Sequence, residues 1–262
     1  MFRNSDHTFV ICAYKESRYL GECIDSLMKQ TVKTNIIMAT STPNEYIQHY
    51  ADMYSLKLFI NHGETGIAGD WNFALSCADT ALVTIAHQDD IYEPEYAEIM
   101  LKCMNRARKP ILFSSNYGEI RNGEKVFSNK LLNIKKVLLV PMRLFPDSIR
   151  ARRLSLAFGD SISCPTVTYV KEIITEYPFE QGLRAALDWQ QWEKLSKLRG
   201  TFVSSTKSLM CHRIHEESET SKIIGENSRG NENYRIFLKF WPARIARVLN
   251  RFYSDSEKSN RV

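Results

Sequence analysis

The sequence predicts an α/β fold: a mostly parallel sheet flanked by helices, then a smaller mixed region and an amphipathic helix near the C-terminus. Three observations carry that expectation. Short apolar runs alternate with helical periodicity through the first hundred residues. The alternation stops near residue 110. The chain then nears its end on WPARIARVLNRFY, with apolar and arginine positions at helical spacing. At 262 residues, 44% hydrophobic and 25% charged, the composition is that of a folded chain rather than a disordered one.

Each element follows from its local pattern. Thr8 to Ala13 is rich in β-formers and reads as the first strand. A helix is expected over Glu16 to Gln30, with Leu20, Cys23, Ile24, Leu27 and Met28 on one face. Asn35 to Ala39 reads as a second strand, and Ser41 or Thr42 as the cap of a helix from Asn44 to about Tyr54. Leu56 to Ile60 is a third strand, closed by the glycine-punctuated NHGETG loop. A helix around Asp70 to Cys77 leads to a strand over Leu82 to Ala86. Such repeats imply right-handed crossovers, and ligands bind beyond the carboxyl ends of the strands in sheets of this kind. After residue 110 a hairpin is expected about Arg121-Asn122-Gly123, a strand over Ser163 to Val170, a helix carrying Asp188, and a strand at TFVSS.

The Leu82–Ala86 strand leaves the core directly into His87, Gln88, Asp89 and Asp90. Two adjacent carboxylates repel each other, so the arrangement costs stability unless a cation or hydrogen-bond donors compensate. An isolated pair of acids after a strand is more often a cap or turn. The AYKE, ATSTPN, NHGETG and AHQDD segments, however, all fall on one sheet edge.

Several classes are disfavoured. A net charge of +5 does not point to nucleic acid. None of the six cysteines forms a C-x-x-C pair, which argues against a zinc ribbon. Thiols in apolar segments without a secretory signal suggest a reducing cytoplasm. No apolar stretch approaches the ~20 residues that span a bilayer. His7, His49 and His62 read as surface or loop residues.

Four segments in order resemble the family 2 inverting glycosyltransferases of the GT-A nucleotide-sugar-binding fold: ICAYKES, GIAGDWNFAL, AHQDD, and LDWQQW followed by HRIHEESET. The likeness runs from about residue 7 to 222. It implies a donor site built from Ala13, Tyr14, Glu16, Thr40, Asp70, Asn72, His87, Gln88 and Asp89. It implies Asp89 and His215 as contacts of Mn²⁺ or Mg²⁺ on the diphosphate, and Asp188 as the general base. Two positions depart from the family pattern: His87 stands where the first acid of Asp-x-Asp is usual, and Thr40-Ser41 where acids commonly meet uracil. The resemblance divides the chain into a transferase domain, 1–222, with a donor half to about 110 and an acceptor half from 111, and a basic tail, 223–262.

Bland readings stand beside these. Trp189 and Trp192 either stack on an acceptor sugar or pack their helix, and Cys164 shapes the acceptor wall sterically. His215 either meets metal or diphosphate, or pairs with Glu216, Glu217 or Glu219. Arg213 either neutralises phosphate or pairs with a nearby glutamate. In the tail, Ile245, Val248, Leu249 and Phe252 form one face and Arg244, Arg247 and Arg251 another. That pattern suits a helix lying on an anionic membrane over about residues 234–253, or one docked on its own domain or in a homodimer. The activity implied is transfer from a nucleotide-sugar, with UDP the expected nucleotide, to a glycan or lipid-linked acceptor in surface polysaccharide synthesis. It would take place in the cytoplasm or on the membrane's inner face. The rivals are a sugar-phosphate nucleotidyltransferase, disfavoured because AYKES has no glycine-rich loop, and a transferase-like binding protein without turnover.

Overall fold

The computed structural model describes residues 1–215 and 228–257. Its first half alternates β1 (His7–Ala13), α1 (Leu20–Met28), β2 (Asn35–Thr40), α2 (Glu45–Met53), β3 (Lys57–Ile60), α3 (Ile67–Cys77) and β4 (Leu82–His87). These four strands pair in parallel, so Ala13 lies beside Thr40, Thr40 beside Ile60, and Cys12 beside His87. Their carboxyl ends form one edge, as the βαβ pattern requires.

Helix α1 buries Leu20, Cys23, Ile24 and Leu27, an i, i+3, i+4, i+7 stripe. It starts four residues later than expected. Helix α2 is capped by Asn44, whose side chain accepts the Ile47 N–H at 2.8 Å, not by Ser41 or Thr42. The Thr42 hydroxyl instead accepts the Lys15 N–H at 2.6 Å. His7 also departs from expectation. It is fully buried, bonded to the hydroxyls of Thr34 at 3.1 Å and Thr84 at 2.8 Å. Burial depresses its pKa to about 3, so it is a neutral core residue.

The second half comprises β5 (Ile91–Tyr92), α4 (Tyr96–Met104), β6 (Pro110–Arg121), β7 (Glu124–Val126), α5 (Lys130–Leu138), α6 (Val140–Leu144), α7 (Ile149–Leu156), β8 (Thr168–Val170), α8 (Lys171–Glu176), α9 (Leu187–Leu195), β9 (Thr201–Arg213), α10 (Ser228–Phe237) and α11 (Ala243–Glu257). All nine strands of the described residues join one sheet, ordered β3-β2-β1-β4-β8-β6-β9-β5, with β7 on β6. The β6–β7 hairpin turns through Asn122 and Gly123 at φ +50° and +84°, the left-handed pair that a tight hairpin demands.

Two expectations change here. The strand over 163–170 shrinks to 168–170, because Cys164–Thr166 is a 3₁₀ turn around Pro165, which has no N–H for a ladder. The strand at TFVSS runs on to Arg213, pairing in parallel with β6 past two irregularities after Ser115. The tail does not stand apart either. Ile236, Phe237 and Ala246 are buried in the same apolar cluster as Trp189 and Trp192.

Candidate active site

The HQDD turn separates its two acids. Asp90 is fully buried, and its Oδ1 accepts the Arg213 N–H at 3.0 Å and lies 2.9 Å from His212 Nδ1. Its other oxygen faces His87 Nδ1 at 3.7 Å. Asp89 keeps partial exposure, and its Oδ2 lies 2.9 Å from His215 Nε2. One acid therefore braces the turn from below while its neighbour stays partly exposed beside His215. Glu216, Glu217 and Glu219, the other expected partners of His215, lie outside the described residues.

The end of β9 is what makes this arrangement. Arg213 donates through Nε to the Asp89 carbonyl at 2.9 Å and through Nη2 to Glu22 at 2.6 Å, with its guanidinium 4.1 Å from the Tyr19 ring centre. Its charge is committed to glutamate, the second of the two readings given to it. Burial alone would lower the pKa of His212, but Asp90 beside it and Asp89 beyond reverse the sign and raise it to about 9. Burial pushes Asp89 the other way, yet the hydrogen bond from His215 and the nearby His212 and His87 hold its carboxyl below the usual range. The turn is thus electrostatically positive enough to keep Asp89 an anion.

On the other side, Gln88 is a clamp. Its amide accepts the Tyr14 N–H and donates to the Tyr14 carbonyl, both at 2.9 Å, tying the end of β1 to the end of β4. Ala13 is buried beneath, whereas the Tyr14 ring and Glu16 are exposed. The Thr40 hydroxyl is taken up by the Thr42 N–H at 3.0 Å. Ser41 instead donates to Asp70 at 3.0 Å, and Asn61 donates to the other Asp70 oxygen at 3.0 Å. Asp70 therefore joins the ends of β2 and β3. GIAGD permits this approach: Gly66 has φ +92°, and a Cβ on Gly69 would sit 2.3 Å from the Glu64 carbonyl oxygen.

Asn72 binds chain rather than cleft. Its amide donates to the Phe179 carbonyl and accepts the Phe179 N–H, both at 2.9 Å. The expected donor contact becomes a brace on the loop leading to α9. His87 stacks on Trp71 at 5.3 Å, Trp71 meets Phe179 at 5.1 Å, and Phe179 meets Tyr169 at 6.0 Å. Its Nε2 is buried without a hydrogen-bond partner.

Asp188 opens α9, half-buried, with its Oδ1 accepting the Trp189 N–H at 2.9 Å. Its charge adds to burial in raising the thiol of Cys164 and the hydroxyl of Tyr169, which lie 3.6 Å apart. Cys164 is buried, as a wall of fixed shape would be, and all six thiols are raised by burial, so none is poised as a nucleophile. Trp189 and Trp192 are fully buried, and their N–H groups donate to the Leu156 and Ile162 carbonyls at 3.0 and 3.1 Å. Of the two readings, packing holds; neither ring has a face for a sugar. The sequence also concealed Glu232. Its carboxylate accepts the N–H groups of Arg184, Ala185 and Ala186 at 2.8 to 3.2 Å, just before α9.

A cleft of about 740 Å³ is lined among others by Glu16, Tyr19, Tyr46, Arg213 and His215, the last of which bonds Asp89; Asp89 and Asp188 themselves are not among its lining residues. A family model for glycosyl transferase family 2 matches residues 8–175, more than half of the chain. The chain belongs to glycosyl transferase family 2. A Rickettsia bellii protein described as an uncharacterized glycosyltransferase is 21% identical over 238 residues, 88% of this chain and 33% of its own length. Glycosyltransferase GlyA of Streptococcus pneumoniae is 26% identical over 125 residues, 46% of this chain and 18% of its own. The chain thus spans a third or less of these two relatives. Among solved structures, Staphylococcus aureus TarS 1-349 with UDP-GlcNAc has a TM-score of 0.66 at 14% identity, covering 97% of this chain and 73% of that one. Mannosyltransferase PcManGT from Pyrobaculum calidifontis, with GDP-Man and Mn²⁺, has a TM-score of 0.65 at 13% identity over the same shares. The GT-A-type fold of this family 2 chain is shared with both.

A divalent cation is the group this family membership raises. Among the described residues, no three His, Cys, Asp or Glu side chains converge to hold one. Asp89 and His215 offer one carboxylate and one imidazole, which fits a cation taking its remaining ligands from phosphate and water.

Proposed function

We propose that this chain moves a sugar from a nucleoside-diphosphate sugar to an acceptor hydroxyl with inversion at the anomeric carbon. The observation that carries the reading is the split of the HQDD turn, which presents Asp89 with His215 at the carboxyl edge of the sheet. Family membership supports it, as do the UDP-GlcNAc and GDP-Man/Mn²⁺ complexes of the structural neighbours. Thr40 and Asp70 are engaged within the fold, so the nucleotide's base meets groups other than an acid pair after β2.

Asp188 is the base. As the acceptor oxygen bonds to the anomeric carbon, the bond to the diphosphate breaks and the acceptor proton passes to an Asp188 carboxylate oxygen. Asp89 and His215 would hold Mn²⁺ or Mg²⁺, which neutralises charge on the departing diphosphate. Gln88, Ser41, Asn61 and Asn72 position the loops. The acceptor class, a glycan or lipid-linked sugar at a membrane's inner face, draws its support from the surface described below.

The test is calorimetric titration of UDP, GDP and TDP, each with and without Mn²⁺. One nucleotide is expected to bind, more tightly with the ion, and Asp89→Ala to lose that gain. Asp188→Asn is expected to bind the nucleotide unchanged and to slow transfer by roughly 10²–10⁴-fold. Unaltered activity in both variants would remove the assignment.

A further inference from the structure

The two sequence-distant segments 130–158 and 241–252 concentrate the positive charge of this protein. Together they hold ten basic residues and one acidic residue, net +9, whereas the rest of the chain is net −4. The lone acid, Asp147, is exposed and accepts from the Thr201 hydroxyl, and one of the ten bases, Arg152, is buried against the Gly200 and Leu198 carbonyls, so the surface charge is smaller than this sum. Among the described residues, the same segments hold ten of the seventeen large hydrophobic side chains that are exposed, including Val137, Leu144, Phe145, Val248 and Phe252. Exposed apolar side chains scattered singly need no explanation, but a cluster rimmed by one sign of charge does.

Tertiary structure brings the segments together. The Tyr253 hydroxyl of α11 accepts the Asp160 N–H at 3.3 Å, just beyond α7, and Trp241 donates to the Ala157 carbonyl at 2.6 Å. Phe158 packs on Trp241 at 5.3 Å, and Arg153 of α7 lies 4.8 Å from the Phe240 ring while bonding the Lys239 carbonyl at 2.9 Å. Lys135 of α5 closes the group. Burial opposes its charge, but Tyr117, Asp160 and Tyr253 hold the ammonium above its usual range.

Helix α11 presents three stripes. Ala246, Leu249 and Tyr253 turn inward to the core. Ile245, Val248 and Phe252 are 45%, 55% and 71% exposed. Arg244, Arg247 and Arg251 are also exposed, about 100° further round the helix. The helix thus docks on its own domain, one of the readings given for the tail, and still has an apolar stripe edged by arginines.

We propose that α5–α7 and α11 together form a face that lies on an anionic lipid bilayer. Apolar side chains would enter the headgroup boundary and the arginines would meet lipid phosphates. A second copy is a poor occupant, because a two-fold interface would set arginine against arginine. A nucleic acid would use the arginines but leave Phe252 and Val248 in water. The face also shares Trp189 with the Asp188 helix. That ring packs on Phe237 at 4.8 Å and Tyr253 at 5.5 Å, so membrane contact would place the helix bearing Asp188 close to the bilayer.

The test is co-sedimentation of the full chain with phosphatidylcholine vesicles, with and without phosphatidylglycerol, across a salt series. It requires no donor or acceptor, so its outcome is separate from that of the transferase reading. Binding is expected only with the anionic lipid and weakening with salt. Arg244→Glu/Arg247→Glu/Arg251→Glu should lower the affinity by at least roughly a hundredfold, at about 1 kcal/mol per arginine lost and with repulsion from the glutamates added. Phe252→Ser should lower it at high salt as well as low. Lys29→Glu/Lys57→Glu/Lys102→Glu, a charge reversal elsewhere, should bind more tightly than the arginine triple. Far-ultraviolet circular dichroism of each variant checks the fold. The proposal is overturned by equal binding to both vesicles, by binding that survives the arginine triple, or by a salt-stable dimer in ultracentrifugation that Phe252→Ser dissociates.

Discussion

The first half and the second half of this protein build their site residues by different means. Along β1 to β4, each strand reaches the edge through its own crossover, and Ala13, Thr40 and His87 arrive there by local rules. In the second half, the decisive bonds span the chain. His215 meets Asp89 across 126 residues, and the Arg213 N–H meets Asp90 across 123. The lesson is that adjacent acids can be sorted into opposite roles by a distant strand end: β9 buries Asp90 and leaves Asp89 partly exposed.

Breaking that sorting should give the largest effect. Asp90→Ala removes the partner of a buried pair with His212 and should cost about 3–5 kcal/mol in urea unfolding. Asp89→Ala, one residue away, removes the partner of a pair that keeps some exposure, so it should cost less than Asp90→Ala and be felt in nucleotide binding as well. Equal losses in the two variants would erase the distinction.

The two histidines sharpen the comparison with opposite signs. His7 has a folded pKa near 3, below the ordinary 6.5, so the unfolded chain binds more protons between these values. Stability should fall by about 1.4 kcal/mol per unit as pH drops below 6.5, and His7→Gln should flatten that slope. His212, raised to about 9, contributes stability that is full below pH 6.5 and lost as pH rises through 9. Its contribution is about 3 kcal/mol in the metal-free protein, and His212→Gln should remove the alkaline decline. Chemical denaturation across pH separates the two slopes.

The smallest expected effect lies at the joint between the halves and the tail. Glu232→Ala strips three backbone N–H groups before α9 of their acceptor and should cost about 1–2 kcal/mol. Because it acts through the helix bearing Asp188, transfer rate should fall while nucleotide affinity holds. A fall in affinity instead would place Glu232 on the donor side.

Much of the first half was legible because its signals are local: periodic stripes, the two glycines of GIAGD, and acids at a strand end. The errors there were choices among near neighbours, such as Asn44 over Ser41 or Thr42 as cap. Asn72 and Gln88 show the limit. Both amides sit where the family resemblance places donor contacts, yet each has its hydrogen bonds drawn off by a backbone it could not be seen to face, Phe179 for one and Tyr14 for the other. Trp189 and Trp192 fit either a sugar platform or a core from spacing alone, and only the carbonyls of Leu156 and Ile162 decide it. Glu232 left no pattern to read, since its partners are backbone N–H groups more than forty residues away.

The sequence by itself determined the parallel sheet, the edge where its unusual residues gather, and the amphipathic character of the tail. These depend on periodicity and on short-range stereochemistry, which one stretch of chain carries alone. Tertiary structure decided which acid is buried, which side chains face the cleft, and that two basic-apolar segments form one surface. Those outcomes depend on burial and on hydrogen-bond partners supplied from more than a hundred residues away, and a carboxylate's role follows from its surroundings rather than from its neighbours in the chain.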